Sequence, residues 1–218
     1  MKVNLIKLEH VDKYYGSFHV LKDISFEVGK GEFLSIVGRS GSGKSTLLNI
    51  IGGMDKAESG KVIVDNEDIS SYSDDKLTLY RRRKVGFIFQ FFNLLPNITV
   101  FENISMPLIL NNIMDEEKVK NFIKLVGLEG KEKSFPFQLS GGEQQRVAIA
   151  RALIHSPEII LADEPTGSLD SETGAMIMEL ICGLMRNLGK TIIIVTHESY
   201  IAQYAGRIIT IKDGIIYK

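Results

Sequence analysis

One segment dictates most of what this chain can become. An apolar, strand-length run, Glu32-Phe33-Leu34-Ser35-Ile36-Val37, opens directly into Gly38-Arg39-Ser40-Gly41-Ser42-Gly43-Lys44-Ser45-Thr46. Helix-forming residues through Leu47, Leu48 and Ile51 follow. This is G-x-x-x-x-G-K-[ST] in the strand–loop–helix context that its chemistry demands. Glycines let a backbone wrap an anion without Cβ clashes, and successive N–H groups at a helix start supply partial positive charge. Lys44 is placed to reach β- and γ-phosphates, Ser45 to put its hydroxyl on Mg²⁺, and Thr46 to help hold an α-phosphate. The implied ligand is a nucleoside triphosphate with Mg²⁺.

The 218 residues are 44% hydrophobic and 24% charged, enough to bury one full core and to exclude bulk disorder. With 26 basic against 27 acidic side chains the net charge is −1, so no basic excess marks a nucleic-acid partner. The apolar runs at 159–162 and 192–195 are strand-sized. They fall far short of the roughly 20 residues that span a bilayer, so no transmembrane segment is expected. The N-terminus has no signal-peptide pattern. Cys182 is the single cysteine and reads as inert packing beside Leu180, Ile181 and Leu184, in a reducing compartment.

Short strands are expected over 1–36: Leu5-Ile6-Lys7-Leu8, an alternating stretch over 20–28, and 32–37 after a Gly29-Lys30-Gly31 turn. Lys61-Val62-Ile63-Val64 adds another. Residues 91–138 look helical. Thr99 caps a helix through Phe101, Ile104, Leu108 and Ile109; Asp115 caps a second through Val119, Phe122, Ile123 and Val126, ended by Gly127. From 140 onward helix and strand alternate over 142–154, 159–162, 171–188, 191–196 and 207–211, and Asp213-Gly214 reads as a hairpin turn. The pattern predicts an α/β fold with a mostly parallel sheet flanked by helices. An antiparallel β subdomain and a helical subdomain, at about 91–155, attach to it within one domain over 1–218.

Four expected strands end in polar groups: 36–37 in the glycine loop, Phe87-Ile88-Phe89 in Gln90, 159–162 in Asp163-Glu164, and 192–195 in Thr196-His197. In an open parallel sheet the carboxyl ends of the strands form the ligand crevice. There Asp163 can hold Mg²⁺ through water, Glu164 can orient or deprotonate an attacking water, and Gln90 and His197 can face a γ-phosphate. Ser140-Gly141-Gly142-Glu143 is a capping box at a helix start. Two glycines in a first helical turn cost about 1 kcal/mol each against alanine, which implies a close approach to that backbone. Such a helix start is a second anion site, so the chain binds either another nucleotide or one shared with another chain.

These motifs together resemble the ATP-binding subunit of ABC transporters. The glycine loop, Gln90, the Leu139–Gln145 signature, Asp163-Glu164, Ser168-Leu169-Asp170 and His197 stand in that family's order and spacing over nearly the whole chain. The resemblance implies an ABC-type P-loop NTPase hydrolysing ATP with Mg²⁺. Two copies pack head to tail, each ATP lying between one glycine loop and the partner's Ser140, Gly141, Gly142 and Glu143. It also implies that Gln90 shares in metal binding with Ser45 and Asp163, and that Tyr15, with Tyr14 adjacent, stacks on adenine.

Residues 85–96, with Thr99, Glu102-Asn103 and Met106-Pro107-Leu108, resemble the lipoprotein-release and macrolide-export type. That implies a peripheral location on the cytoplasmic face, bound to an integral permease with a large extracytoplasmic domain. Soluble ABC ATPases of DNA repair or translation carry coiled-coil insertions or paired ATPase units, neither of which is present. A regulator of cell-wall hydrolases fits less well around Gln90. Phe91-Phe92 offers one partner-facing aromatic, and Arg81-Arg82-Arg83-Lys84 reads as a solvated helix face.

Overall fold

In the computed structural model, which describes residues 4–217, the N-terminal stretch forms two antiparallel strands, β1 (Asn4–Tyr15) and β2 (Phe18–Gly29). The expectation of short strands is corrected here, since each runs for 12 residues. Irregularities at His10 (φ 51°) and Asp23 (φ 53°) let the ladder continue where the alternation breaks. β3 (Phe33–Val37) leads through the glycine loop to α1 (Lys44–Ile51). β4 (Ser59–Val64), β5 (Glu67–Asp68), α2 (Asp74–Lys84) and β6 (Val85–Ile88) follow. Then come α3 (Val100–Leu110), α4 (Glu116–Leu125), α5 (Gly141–Leu153), β7 (Ile159–Asp163) and α6 (Ser171–Leu188). β8 (Thr191–Thr196), α7 (Ser199–Ala202), β9 (Arg207–Lys212) and β10 (Ile215–Tyr217) complete the order.

Two units each pack internally. Residues up to Arg81, with those from Gly189 onward, form the first. It holds an antiparallel sheet ordered β2-β1-β4-β5 and a mixed run ordered β10-β9-β3-β8, with β3 parallel to both its neighbours. All six residues of β8 are buried, as expected of a parallel strand covered on both faces, and α1 packs on it. Asp213 and Gly214 both take positive φ and close the β9–β10 hairpin as a primed turn.

The second unit is Arg82–Leu188. There β6 and β7 pair in parallel. Val100, Ile104 and Leu108 line one face of α3 and pack with Val119, Ile123 and Val126 and with Val147, Ala150 and Ile154. Each of these Val, Ile and Leu side chains, fully buried, contributes about 1.5–3 kcal/mol of transfer free energy. The expected caps form. Thr99 makes a capping box with Glu102, Asp115 accepts from the Lys118 N–H at 2.9 Å, and Gly127 turns left-handed (φ 69°). Asn103, fully buried, ties the loop before α3 to the helix through the Leu95 N–H and the Leu95, Ile98 and Thr99 carbonyls.

Candidate functional site

β3 delivers the chain into the glycine loop and α1 takes it away. Gly43, the N-cap of α1, has φ 100°, and a Cβ there would lie 2.7 Å from Leu21 Cδ2. A Cβ on Gly38 would lie 2.2 Å from the Ile211 carbonyl oxygen, so the backbone runs tight against β9. The loop curls round its lysine. Lys44 Nζ donates to the carbonyls of Gly38 at 2.9 Å and Arg39 at 3.0 Å and is only 6% exposed. An ammonium has three donors, and these bonds use two of them. Ser42 Oγ is buried in the same loop with no hydrogen-bond partner. The first turn of α1 holds no acid, and its N–H groups point out of the helix start. This donor-rich, cation-bearing cradle suits a phosphate.

In β8, Thr196 pairs with Val37 of β3, so Gly38 and His197 are the next residues out of the same sheet edge. His197 is exposed, and the Glu198 N–H donates to Thr196 Oγ1 at 3.0 Å in the turn that carries it. Tyr15 ends β1, 51% exposed, with its hydroxyl donating to Asp55 Oδ2 at 2.6 Å. Tyr14 stacks on His19 instead, centroids 4.0 Å apart, so its own chain covers one of its faces.

In the second unit Ile88 of β6 pairs with Ala162 of β7, which sets Gln90 and Glu164 at the same offset beyond paired residues. Both pack on Gly167. A Cβ built there would lie 2.9 Å from Gln90 Nε2 and 3.4 Å from Glu164 Cβ. Glu164 takes φ 45°, a left-handed backbone that is rare for glutamate. The Gly167 N–H donates to its carbonyl at 3.0 Å, and Ser168 Oγ donates to the Gln90 carbonyl at 2.7 Å. Asp163 and Glu164 are both half-buried.

Ser140 caps α5 as expected: its Oγ accepts from the Glu143 N–H at 3.3 Å, and Glu143 Oε2 accepts from the Ser140 N–H at 2.8 Å. That Ser140 bond holds the Glu143 carboxyl below its ordinary value, and Lys131 pairs with it at 3.4 Å. The glycines have a reason inside the chain itself. A Cβ on Gly142 would lie 2.6 Å from Thr173 Cγ2, and one on Gly141 3.2 Å from Leu169 Cδ2. The close approach is therefore first of all that of α6 and the loop before it.

Two residues of α5 have roles that the sequence did not show, Gln145 at the end of the signature and Arg151 beyond it. Gln145, fully buried, donates to the Pro165 carbonyl, one residue past Glu164, and reaches the Phe89 carbonyl, one residue before Gln90. Arg151 donates to the Phe92 and Asn93 carbonyls at 2.7 and 2.6 Å, and burial pushes its guanidinium down from its usual value. It thereby clamps two consecutive left-handed residues, Phe92 and Asn93. The signature marked the position of the first but not its partners, and nothing marked the second.

The basic run is only in part the solvated face expected: Arg83 is exposed, but its neighbours are half-buried and engaged. Arg81 donates to the Gly53 carbonyl, Arg82 to Asn111 Oδ1 at 3.3 Å, and Lys84 pairs with Glu158 at 2.7 Å. Cys182 is half-buried and burial raises its thiol, in keeping with packing. Among the described residues no helix is long and apolar enough to cross a membrane.

The ABC transporter family model matches residues 21–167. The macrolide export ATP-binding/permease protein MacB of Mannheimia succiniciproducens is 48% identical over 98% of this chain, which spans 34% of MacB. The ABC transporter ATP-binding protein MJ0796 of Methanocaldococcus jannaschii is 48% identical over 96% of this chain and 94% of its own length. A dimeric structure of MJ0796 matches with TM-score 0.90 and 47% identity, covering 98% of this chain and 97% of that one. A post-hydrolysis dimer of MJ0796 bound to ADP and Pi matches at TM-score 0.88 and 45% identity, over 98% of both. The fold, the glycine loop with Lys44, the capped Ser140 helix and these likenesses agree, and the chain belongs to the ABC transporter family as an ATP-binding domain.

Proposed function

We propose that this chain is the motor of an ATP-driven membrane transporter. It converts ATP and water to ADP and phosphate as a single ATPase domain. Gly38, Arg39, Ser40, Gly41, Ser42 and Gly43 wrap the phosphates, Lys44 binds the β- and γ-phosphates, Thr46 holds the α-phosphate and Tyr15 stacks on adenine. Glu164 deprotonates the attacking water, while Gln90 and His197 position the γ-phosphate. Ser45, Gln90 and Asp163 are the oxygen donors that Mg²⁺ prefers, and the ion supplies charge neutralisation at the phosphates.

One observation carries the dimeric part of this reading. The helix starts at Lys44 and at Ser140 each carry glycine at the first turn, Gly43 and Gly141-Gly142, and one triphosphate needs one such start. The second serves ATP held by another copy, through Ser140, Gly141, Gly142 and Glu143. The two MJ0796 structures, both dimeric, support this. Phosphate release per chain should therefore rise with chain concentration until the dimer saturates. A rate per chain that stays constant at all concentrations would mean that the monomer works alone.

The dimer's opening is passed to an integral permease with a large extracytoplasmic domain, which holds the chain on the cytoplasmic face and sets the cargo: lipoprotein, peptide or drug-like. MacB, named as an export ATP-binding/permease protein, supports a permease partner. Phe91 is the gripping residue, 74% exposed, whereas Phe92 is half-buried with its carbonyl held by Arg151. Phe91→Ala is expected to reduce co-purification with the permease and permease-stimulated turnover severalfold while ATP affinity stays as in the wild type. Undiminished assembly and stimulation would remove Phe91 from the interface.

A further inference from the structure

The aromatic at the end of β1 is anchored at its far end. The Tyr15 hydroxyl donates to Asp55 Oδ2 at 2.6 Å, and the Thr46 side chain lies within hydrogen-bonding reach of that hydroxyl. Asp55 is itself held. Its Oδ1 accepts from Lys13 Nζ at 2.8 Å and from the Lys56 N–H at 2.7 Å. Lys13 is only 5% exposed and uses all three donors, on Asp55, on the Lys56 carbonyl at 2.7 Å and on Glu58 Oε1 at 3.1 Å. Glu58 Oε2 accepts in turn from the Tyr14 N–H at 2.9 Å.

The charges favour this arrangement. Burial pushes the Asp55 carboxyl up, but the bonds from Lys13, Tyr15 and Lys56 outweigh it and leave the group below its ordinary value. Asp55 is therefore an ionised acceptor, and a hydroxyl bonded to a carboxylate makes one of the stronger hydrogen bonds. The same bond raises the Tyr15 hydroxyl, so it stays a donor at neutral pH. Lys13 Nζ also lies 5.0 Å from the centroid of the Tyr15 ring, a cation–π distance.

A half-exposed tyrosine has two soft torsions, and both must be ordered before a base can stack on it. Here the hydroxyl anchor fixes the ring before any ligand arrives. We propose that Asp55, fixed by Lys13, is a positioning residue for base recognition: it preorganises Tyr15 as a platform, so that affinity for the base, but not for the triphosphate, depends on it. This rests on Tyr15 being the adenine platform.

The test compares Mg²⁺-ATP with inorganic triphosphate in calorimetric titrations of the whole chain. Tyr15→Ala should weaken ATP by about tenfold or more, the scale of a lost base–aromatic stack. Tyr15→Phe and Asp55→Ala should each weaken it about two- to tenfold, the range that ordering one side chain contributes. Combined, the last two should be no worse than the weaker single variant, because both remove the same bond. Asp55→Asn keeps a partner for the hydroxyl in either amide orientation and should restore most of the loss. Inorganic triphosphate should bind equally well to all of them.

ATP affinity at the wild-type level in Tyr15→Phe and Asp55→Ala, beside a loss in Tyr15→Ala, overturns the anchor and leaves the stacking reading standing. Undiminished ATP binding by Tyr15→Ala removes the platform, and this proposal with it. Equal losses of ATP and inorganic triphosphate in Asp55→Ala mark a purely structural residue and also overturn it. If Asp55→Ala fails to fold, Tyr15→Phe, which leaves the Lys13–Asp55 pair intact, decides alone.

Discussion

Lys44→Ala is expected to weaken ATP binding about a hundredfold, near the upper end of what removing a charged hydrogen-bond donor does. The ammonium is almost fully buried and gathers the carbonyls of Gly38 and Arg39 around itself. Removing it withdraws the buried cation of the loop. It also leaves two carbonyl dipoles without their donor, at the place where a triphosphate must sit. Both effects act against the anion, so the loss should exceed that of an exposed lysine, whose ion pairs are worth little. Lys44→Arg is a useful control, because it keeps the charge but replaces a compact ammonium with a planar fork and should not restore wild-type binding. The measurement is a calorimetric titration with Mg²⁺-ATP. Affinity equal to the wild type in Lys44→Ala would mean that the phosphates bind somewhere else.

What could be read from the sequence was what is local or periodic. The glycine loop is contiguous, and its strand and helix flank it directly. The caps at Thr99, Asp115 and Ser140 each bond three residues onward, so their signal is also local. β8 showed itself as an unbroken apolar run because both of its faces are covered. β1 and β2 were read short, because alternation is a period-two signal and the bulged residues His10 and Asp23 shift its phase.

The long-range polar bonds left no such trace. Arg151 reaches Phe92 and Asn93 across nearly 60 positions, and Tyr15 reaches Asp55 across 40. Lys13 left no trace either: it lies beyond the Leu5–Leu8 run that read as strand, past the irregularity at His10 that shifts the phase. The glycines of the Ser140 helix were legible as an oddity, but their immediate cause, the Thr173 methyl, lies on another helix.

That methyl decides how the shared-site reading must be tested. Glu164→Gln is expected to lower hydrolysis at least about a hundredfold, the scale of losing a positioned base. The amide keeps the shape of the carboxylate and one acceptor oxygen but not its charge or basicity, at a residue whose left-handed backbone already constrains the turn. ATP should still bind, and losing a negative charge relieves repulsion with the triphosphate. The ATP-bound form should then accumulate as a dimer that is monomeric without nucleotide, as read by light scattering after size exclusion. Adding Gly142→Asp to that background is the natural way to block the partner's phosphate. Alone it is ambiguous, because its Cβ would meet Thr173 Cγ2 at 2.6 Å and displace α5 within its own chain. Pairing it with Thr173→Ser removes the methyl and clears the space. An aspartate in the first turn then favours the helix itself, so α5 should remain folded, yet it places a carboxylate where a phosphate is to be received. The triple variant should bind ATP and stay monomeric, while Glu164→Gln/Thr173→Ser should dimerise like Glu164→Gln. Dimerisation of the triple variant with ATP would show that the Ser140 helix does not receive the partner's nucleotide, and wild-type hydrolysis by Glu164→Gln would place the base elsewhere.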